Sequence, residues 1–248
     1  MVSAVGFRTN ESFDLRPEGD RHGVRRPSGS RVSIRRAGLT LALTFLATLG
    51  MRQAVAAPFE YPDAVASYLR FSPDFDYDAA ADDFLRCERP AVWRAASADE
   101  FKLTAARADA IKAMHVAAGR AEADGTFTLV SSANFGDYDP KGQRFSFRPF
   151  SVATFYSVVA PASCGSGFLP PKIDLFFENP EFVDGLPMEP DAAKAFLERR
   201  KSDRSVRVTL TVSVTGLRGD GQLDGKIVRA EVVDPLQQTA GALASFGQ

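Results

Sequence analysis

The residues best suited to chemistry in this sequence are two cysteines and a histidine, Cys87, Cys164 and His115. A thiol beside an imidazole is the arrangement of a cysteine hydrolase, so Cys164 and His115 are one candidate pair. Ser166 lies between two glycines but lacks the Gly-x-Ser-x-Gly spacing of a nucleophile elbow. His115 falls on the side of a predicted helix that we expect to be buried. We therefore predict a packed histidine and no catalytic set.

The two cysteines are the only ones in the chain, and an even pair in an oxidising compartment predicts a disulfide between Cys87 and Cys164. Closing so long a loop stabilises a fold by about 4 kcal/mol through loop-closure entropy. Two unpaired thiols, one of them buried, are the alternative.

The sequence offers no convincing metal or cofactor site. Asp74, Asp76 and Asp78 resemble the start of a calcium loop, but Ala79 replaces the required glycine and Leu85 replaces the bidentate glutamate. We expect these carboxylates to favour the start of a helix through its dipole. Neither a phosphate-binding loop nor a dinucleotide fingerprint is present, so we expect no metal and no cofactor.

An export signal is the strongest pattern in the chain. Arg35 and Arg36 precede an uncharged apolar run over 39–51, and Ala54-Val55-Ala56 offers small residues for cleavage before Ala57. This order is typical of a signal peptide over 35–56 and predicts a periplasmic or secreted protein. Because Arg52 ends the apolar run early, we expect no transmembrane anchor after cleavage.

The segment before the signal, residues 1–34, is polar and rich in arginine, so we expect it to be disordered. This segment has two interpretations. It is the long n-region of a twin-arginine signal, or translation starts downstream of Met1, with Val24 or Val32 as the initiating residue. We favour the second interpretation, and with it the Sec route, over the twin-arginine route.

The spacing of apolar residues in the mature sequence changes about halfway along it. Helical spacing dominates 57–123, and strand patterns dominate 124–236, apart from a short helix over 190–200. Helices followed by strands predict a single α+β domain in which N-terminal helices pack on a mainly antiparallel sheet. The remaining residues, 237–248, are small and polar, which predicts a flexible tail.

Several local patterns predict where elements begin and which side they bury. Ser97 and Glu100 have the spacing of a capping box that opens a helix ending near Gly119. Its predicted buried stripe is Phe101, Ala105, Ala108, Ile111 and His115. Strands are predicted at 126–134, 143–149, 153–160 and 172–178. Strict alternation over 206–214 predicts another strand, followed by a loop at 216–225 and a return strand at 226–233.

Charge limits the choice of partner. The 248 residues include 30 basic and 31 acidic side chains. Cleavage removes nine basic and four acidic residues with 1–56, which leaves 21 basic against 27 acidic. This acidic balance argues against nucleic acid and anionic lipid. We expect an envelope protein or a small ligand as the partner.

A set of aromatic and turn motifs resembles a proteobacterial family of secreted proteins that is known only as a domain of unknown function. The similarity covers about 60–235. The motifs are Tyr68-Leu69-Arg70, Phe84-Leu85-Arg86-Cys87, Asp99-Glu100-Phe101, Phe135-Gly136-Asp137-Tyr138-Asp139 and Leu186-Pro187-Met188. The resemblance implies an exported α+β protein and supplies no reaction. We take Asp137, Tyr138 and Asp139 as candidate surface residues.

The sequence therefore predicts an exported, non-catalytic binding or envelope-associated domain. A cell-envelope hydrolase that uses carboxylates, or the Cys/His pair, is the alternative, because carboxylate catalysis leaves no readable spacing in one sequence. A pocket lined by close carboxylates would favour the hydrolase. An exposed apolar patch or a free sheet edge would favour the binding domain.

Overall fold

The structure is a computed structural model that describes residues 56–162, 164, 167–237 and 241–247. The predicted n-region and nearly all of the signal peptide lie outside the described residues. Within them, five α-helices and ten strands form the α+β architecture that the sequence predicts. The helices come mainly from the first half and the sheet from the second.

Four helices precede the main sheet: α1 (Tyr61–Arg70), α2 (Tyr77–Glu88), α3 (Pro90–Ala96) and α4 (Glu100–Asp124). The start of α2 is fixed by Asp76, whose side chain accepts a hydrogen bond from the backbone N–H of Ala79. The long helix α4 packs against both α1 and α2. A two-pronged ion pair joins α4 to α2, in which Arg107 donates to Asp82 over 2.7 and 2.8 Å.

The predicted start of α4 is wrong by two residues. Ser97 has helical backbone angles (φ −62°, ψ −19°) because it ends α3, whereas an N-cap residue needs an extended backbone. Asp99 has that backbone (φ −134°, ψ 110°), and its carboxylate accepts from the N–H groups of Phe101 and Lys102. Asp99, not Ser97, therefore caps the helix.

The predicted end of α4 is also wrong. The helix runs through Gly119 and ends at Asp124, where Gly125 takes the left-handed conformation with φ 55°. A glycine inside a helix costs about 1 kcal/mol relative to alanine, which tertiary packing readily outweighs.

The buried stripe of α4 differs from the predicted one. Leu103 is half-buried, and Ala106, Ala110 and Met114 are buried against α1 and α2. Phe101, at the start of the predicted stripe, is 92% exposed. Because the helix is rich in alanine, two of its faces carry apolar residues at helical spacing. Packing against the neighbouring helices decides which face is buried.

The main sheet has seven strands: β1 (Ala57–Pro58), β2 (Phe127–Asn134), β5 (Phe155–Val159), β6 (Lys172–Phe177), β8 (Ser205–Gly219), β9 (Gln222–Val233) and β10 (Ala242–Phe246). Its order is β1-β2-β8-β9-β6-β5, and β10 pairs with β9 beside β6. Pairing is antiparallel except for β1 with β2 and β6 with β9. The sheet is therefore mainly antiparallel.

The hairpin of β8 and β9 forms the centre of the sheet. Val206, Val208, Leu210 and Val212 are buried, as the alternating pattern predicts. The predicted loop at 216–225 is much shorter in the structure, because the strands extend to Gly219 and begin again at Gln222. Only Asp220 and Gly221 form the turn. Gly221 has φ 63°, and a side chain there would approach the carbonyl oxygen of Lys172 to 2.9 Å.

The C-terminal segment contains a strand where the sequence predicts a flexible tail. Residues Ala242–Phe246 form β10 and pair antiparallel with β9. Leu243, Ala244 and Phe246 pack partly against the core. Small side chains do not predict a strand. The part of β9 beyond its pairing with β6 has unpaired backbone groups, and β10 provides hydrogen-bond partners for them.

A small second sheet joins β3 (Tyr138–Asp139), β4 (Arg144–Phe145) and β7 (Leu186–Pro187). The strand predicted over 143–149 is reduced to the two residues of β4. The short 3₁₀ helix Pro180–Phe182 and helix α5 (Pro190–Arg200) lie near it in sequence. No helix among the described residues is long and apolar enough to cross a membrane.

The predicted disulfide is confirmed. Cys87, near the end of α2, is bonded to Cys164, and their Cα atoms are 4.5 Å apart. One turn earlier on α2, the buried carboxylate of Asp83 accepts a hydrogen bond from the backbone N–H of Phe168. Gly167 approaches Asp83 so closely that an added Cβ would collide with the carboxylate. Two contacts therefore fasten α2 to the segment before β6.

We expect the double variant Cys87→Ala/Cys164→Ala to be less stable than the oxidised protein by about 4 kcal/mol, because the bond closes a loop with a sequence separation of 77. Urea unfolding measures the difference. The reduced wild-type protein is the matched control and should behave like the double variant. A loss below about 1 kcal/mol in both would show that the bond does not constrain the unfolded chain.

Candidate functional site

His115 does not occupy the buried position that the sequence predicts. It lies on the exposed side of α4, and its ring stacks on Tyr77 with centroids 4.0 Å apart. Burial raises the pKa of the Tyr77 hydroxyl. The register of the buried stripe explains the difference, because Met114 takes the inward position beside it. The stacking indicates a structural contact between α4 and the start of α2.

Cys164 supplies no nucleophile in this structure. Its sulfur is bonded to Cys87, and a disulfide sulfur cannot act as a thiolate. The Cys164–His115 pair considered from the sequence is therefore ruled out for the oxidised protein. The described residues also contain no group of three or more His, Cys, Asp or Glu side chains placed to hold a metal ion.

The candidate surface residues Asp137, Tyr138 and Asp139 lie at the start of the small sheet. The Tyr138 hydroxyl donates to the carbonyl oxygen of Met188 over 2.9 Å, and the Asp139 carboxylate accepts from the N–H of Lys141 over 3.0 Å. Asp137 is exposed. Asp139 also lines a concave surface, whereas Asp137 and Tyr138 are not part of its lining.

That surface, the loop cleft, is lined by Asn134, Gly136, Asp139, Arg144, Arg148 and Asp184, among others, and encloses about 490 Å³. Arg148 pairs with Asp184 at 2.7 Å, and Arg144 approaches the same carboxylate at 3.6 Å. The hydrogen bond from Arg148 lowers the pKa of Asp184 below its usual range. These charges neutralise one another, which leaves little unpaired charge for a ligand.

A larger cleft of about 760 Å³ lies between α1, the end of α2, α4 and the start of β2. We call it the helical cleft. Its lining is largely apolar and includes Ala66, Phe84, Ala113, Val116, Ala117 and Phe127. The lining positions on α4 run from Asp109 to Ala121, an axial rise of about 18 Å. Small side chains on α1 and α4 leave this elongated space open.

Charged groups surround the apolar lining of the helical cleft. They are Asp63 on α1, Glu88 and Arg89 at the end of α2, and Asp109, Lys112 and Arg120 on α4. Glu88 follows the disulfide-bonded Cys87 directly, so the bond that holds the end of α2 also positions this carboxylate. The guanidinium group of Arg89 lies 6.0 Å from the centre of the Phe84 ring.

Glu88 has the most unusual environment in the cleft. Its side chain is half-buried, and none of the described residues gives it a hydrogen bond or an ion pair. Burial, and then the negative charge of Asp63, raise the pKa of the Glu88 carboxyl above its ordinary value. A protein-internal partner would have the opposite effect. Glu88 is therefore a carboxylate that the fold leaves without a counter-ion.

Two groups, Asp63 and Tyr61, interact electrostatically with Glu88. Asp63 accepts a hydrogen bond from the backbone N–H of Glu60 over 3.1 Å, which fixes its carboxylate at the start of α1. The Tyr61 hydroxyl donates to the carbonyl oxygen of Pro170 over 2.8 Å. Burial, followed by the charges of Glu88 and Asp83, raises the pKa of Tyr61 to about 12. Tyr61 thus stays protonated and links α1 to the segment before β6.

Sequence reasoning missed both Glu88 and Asp63. No motif joins them, because they lie 25 positions apart on helices that only the tertiary fold brings together. One usable signal was present: Glu88 follows a cysteine predicted to be bridged at the end of an amphipathic helix. This signal predicts that the position of the Glu88 carboxylate is fixed by the disulfide, but it does not predict that the carboxylate lines a cleft.

A family model described as "Domain of unknown function (DUF4852)" matches residues 76–199, half of the chain. The chain belongs to this family. The match confirms the predicted resemblance to a domain of unknown function. No curated protein and no solved structure matches the chain.

The DUF4852 match spans α2 to the end of α5 and stops one residue short of the last residue of that helix. It includes all the named lining residues of the loop cleft. In the helical cleft it includes Glu88 and the lining of α4, but Asp63 and Ala66 on α1 lie before it. The helical cleft is thus completed by residues outside the matched segment.

We expect Glu88→Gln to stabilise the protein at neutral pH and to have a smaller effect in acid. A carboxyl whose pKa is raised by folding stays protonated in the folded state after the unfolded chain has ionised. Wild-type stability therefore falls as pH rises from the ordinary pKa of glutamate to the raised value, and glutamine avoids that loss. Urea unfolding at about pH 4 and pH 7.5 measures it.

The matched control is Glu198→Gln on α5, where the side chain is exposed and contributes nothing to the helical cleft. It should show no such dependence on pH. A Glu88→Gln variant that is less stable than wild type at neutral pH would mean that the ionised carboxylate has a stabilising partner.

Proposed function

We propose that this chain is an exported, non-catalytic binding domain whose ligand occupies the helical cleft. The observation that carries the proposal is the cleft itself. Its volume of about 760 Å³ lies within the range of about 300–1,000 Å³ typical of small-molecule sites, and its lining combines eight apolar residues with six charged ones. The loop cleft is smaller, and its charges are paired.

Export is supported by the order of arginines, apolar run and small residues over 35–56, and by the disulfide, which persists in oxidising compartments. The fold is compatible with cleavage before Ala57. Strand β1 begins at that residue, and Phe59, two positions later, is 3% exposed. Of the described hydrogen bonds, cleavage removes the acceptor of one, from the Thr128 hydroxyl to the carbonyl of Ala56.

A carboxylate-dependent hydrolase of the cell envelope is the second candidate. The raised pKa of Glu88 favours it, since a carboxyl with a raised pKa near a second carboxyl, here Asp63, is the arrangement used for general acid catalysis. The hydrogen bond from Glu60 to Asp63 engages that carboxylate in capping α1, which favours binding over catalysis.

For export, we expect the N-terminal sequence of protein recovered from the periplasm or medium of an expressing bacterium to begin at Ala57. Replacing Ala54 by lysine removes the small residue at −3 and should block cleavage. Deleting 1–31 with Val32→Met should leave export intact if the start lies downstream. Mature protein that retains the apolar run over 39–51 would contradict the proposal.

For binding, we expect the uncharged fluorescent probe N-phenyl-1-naphthylamine to bind the folded protein saturably, because the cleft lining is apolar. Ala117→Trp fills the cleft and should abolish the fluorescence increase. Ala108→Trp, on the exposed side of the same helix, is the matched control and should bind as wild type does. Equal binding by all three proteins would place the probe elsewhere and contradict the proposal.

A further inference from the structure

The helical cleft carries its charges unevenly along α4. Asp109 lies at one end of the lining positions and Arg120 near the other, eleven residues away, or about 16 Å along the helix axis. Asp63 of α1 and Glu88 of α2 both line the same cleft, and the negative charge of Asp63 contributes to raising the pKa of Glu88. One region of the cleft therefore combines two carboxylates that repel each other.

The neighbouring cations do not neutralise Glu88 in this structure. Arg89 is exposed, and its guanidinium group lies over the Phe84 ring. Lys112 is exposed, and no ion pair joins it to Glu88 among the described residues. Exposed side chains such as these keep most of their hydration, whereas the half-buried Glu88 has lost part of its own. The unpaired charge in the cleft is thus negative and partly desolvated.

We propose that the helical cleft binds a ligand that joins an apolar body to a protonated amine, with the amine seated between Glu88 and Asp63. This inference rests on the proposed binding function and names the chemical class of the ligand. The apolar body would lie along Ala113, Val116 and Ala117 of α4. The cation would relieve the repulsion between the two carboxylates and give Glu88 the charge-assisted hydrogen bond that the fold does not provide.

Three eight-carbon compounds test the class of ligand: octylammonium, octanol and octanoate, each used to displace N-phenyl-1-naphthylamine from the wild-type protein at neutral pH. They share one apolar chain and differ in the charge of the head group. We expect octylammonium to displace the probe at a concentration about tenfold lower than octanol, a ratio typical of one charge-assisted hydrogen bond. Octanoate should be the weakest competitor.

The variant Glu88→Gln should remove the advantage of octylammonium and leave the affinity for octanol unchanged, because glutamine keeps the shape of the side chain without its charge. The variant Lys112→Gln, which removes a positive charge from the lining on α4, is the matched control and should not weaken octylammonium. Circular dichroism of each variant verifies that the fold is retained.

The outcomes separate the two proposals. If the naphthylamine probe fails to bind the cleft, the proposed binding function fails. If the probe binds but octylammonium and octanol compete equally, the binding function stands and the cationic class is wrong. If octanoate competes best and Lys112→Gln weakens it, the cleft is an anion site and the inference is overturned.

Discussion

The fixed end of helix α2 is the constraint on which the helical cleft depends. The disulfide from Cys87 to Cys164 and the hydrogen bond from Phe168 to Asp83 hold this end against the segment that leads into β6. In the middle of α2, Asp82 pairs with Arg107 of α4, and at the start of α2 Tyr77 stacks on His115. With α2 fastened at both ends, Glu88 and Phe84 face the space between α1 and α4.

The space itself results from the choice of side chains on α1 and α4. Alanines at 66, 113 and 117 line the groove between the two helices without filling it. Aromatic rings of Phe84 and Phe127, both buried, form part of its lining. Because no described residue gives the half-buried carboxylate of Glu88 a hydrogen bond or an ion pair in place of its lost water, Glu88 is the polar feature on which recognition would depend.

The sequence predicted the architecture well because its signals are local and periodic. The alternation over 206–214, the carboxylates at the start of α2 and the paired cysteines each act within a few residues or through a single bond. The elements that differed were decided by tertiary contacts. Alanine-rich α4 buries Ala110 and Met114 in place of Phe101 and His115, and β10 pairs with an edge that β9 offers.

The candidate site was harder to predict, for the same reason. Asp139 lies on the edge of a cleft, but the arginines that neutralise its surroundings come from β4 and from the loop after it. Glu88 and Asp63 lie on separate helices, and neither belongs to a motif. What gives them a role is burial and mutual repulsion, which are properties of the folded arrangement and not of residue type or spacing.

The central claim is that Glu88 is an unpaired carboxylate beside Asp63 in the helical cleft. A ¹³C NMR titration of the Glu88 side-chain carboxyl in the ligand-free protein tests it most directly. The account predicts a pKa above the ordinary value of glutamate, which falls when Asp63 is replaced by asparagine. An ordinary or lowered pKa that does not respond to Asp63→Asn would show that Glu88 has a partner or is fully hydrated, and would contradict the account.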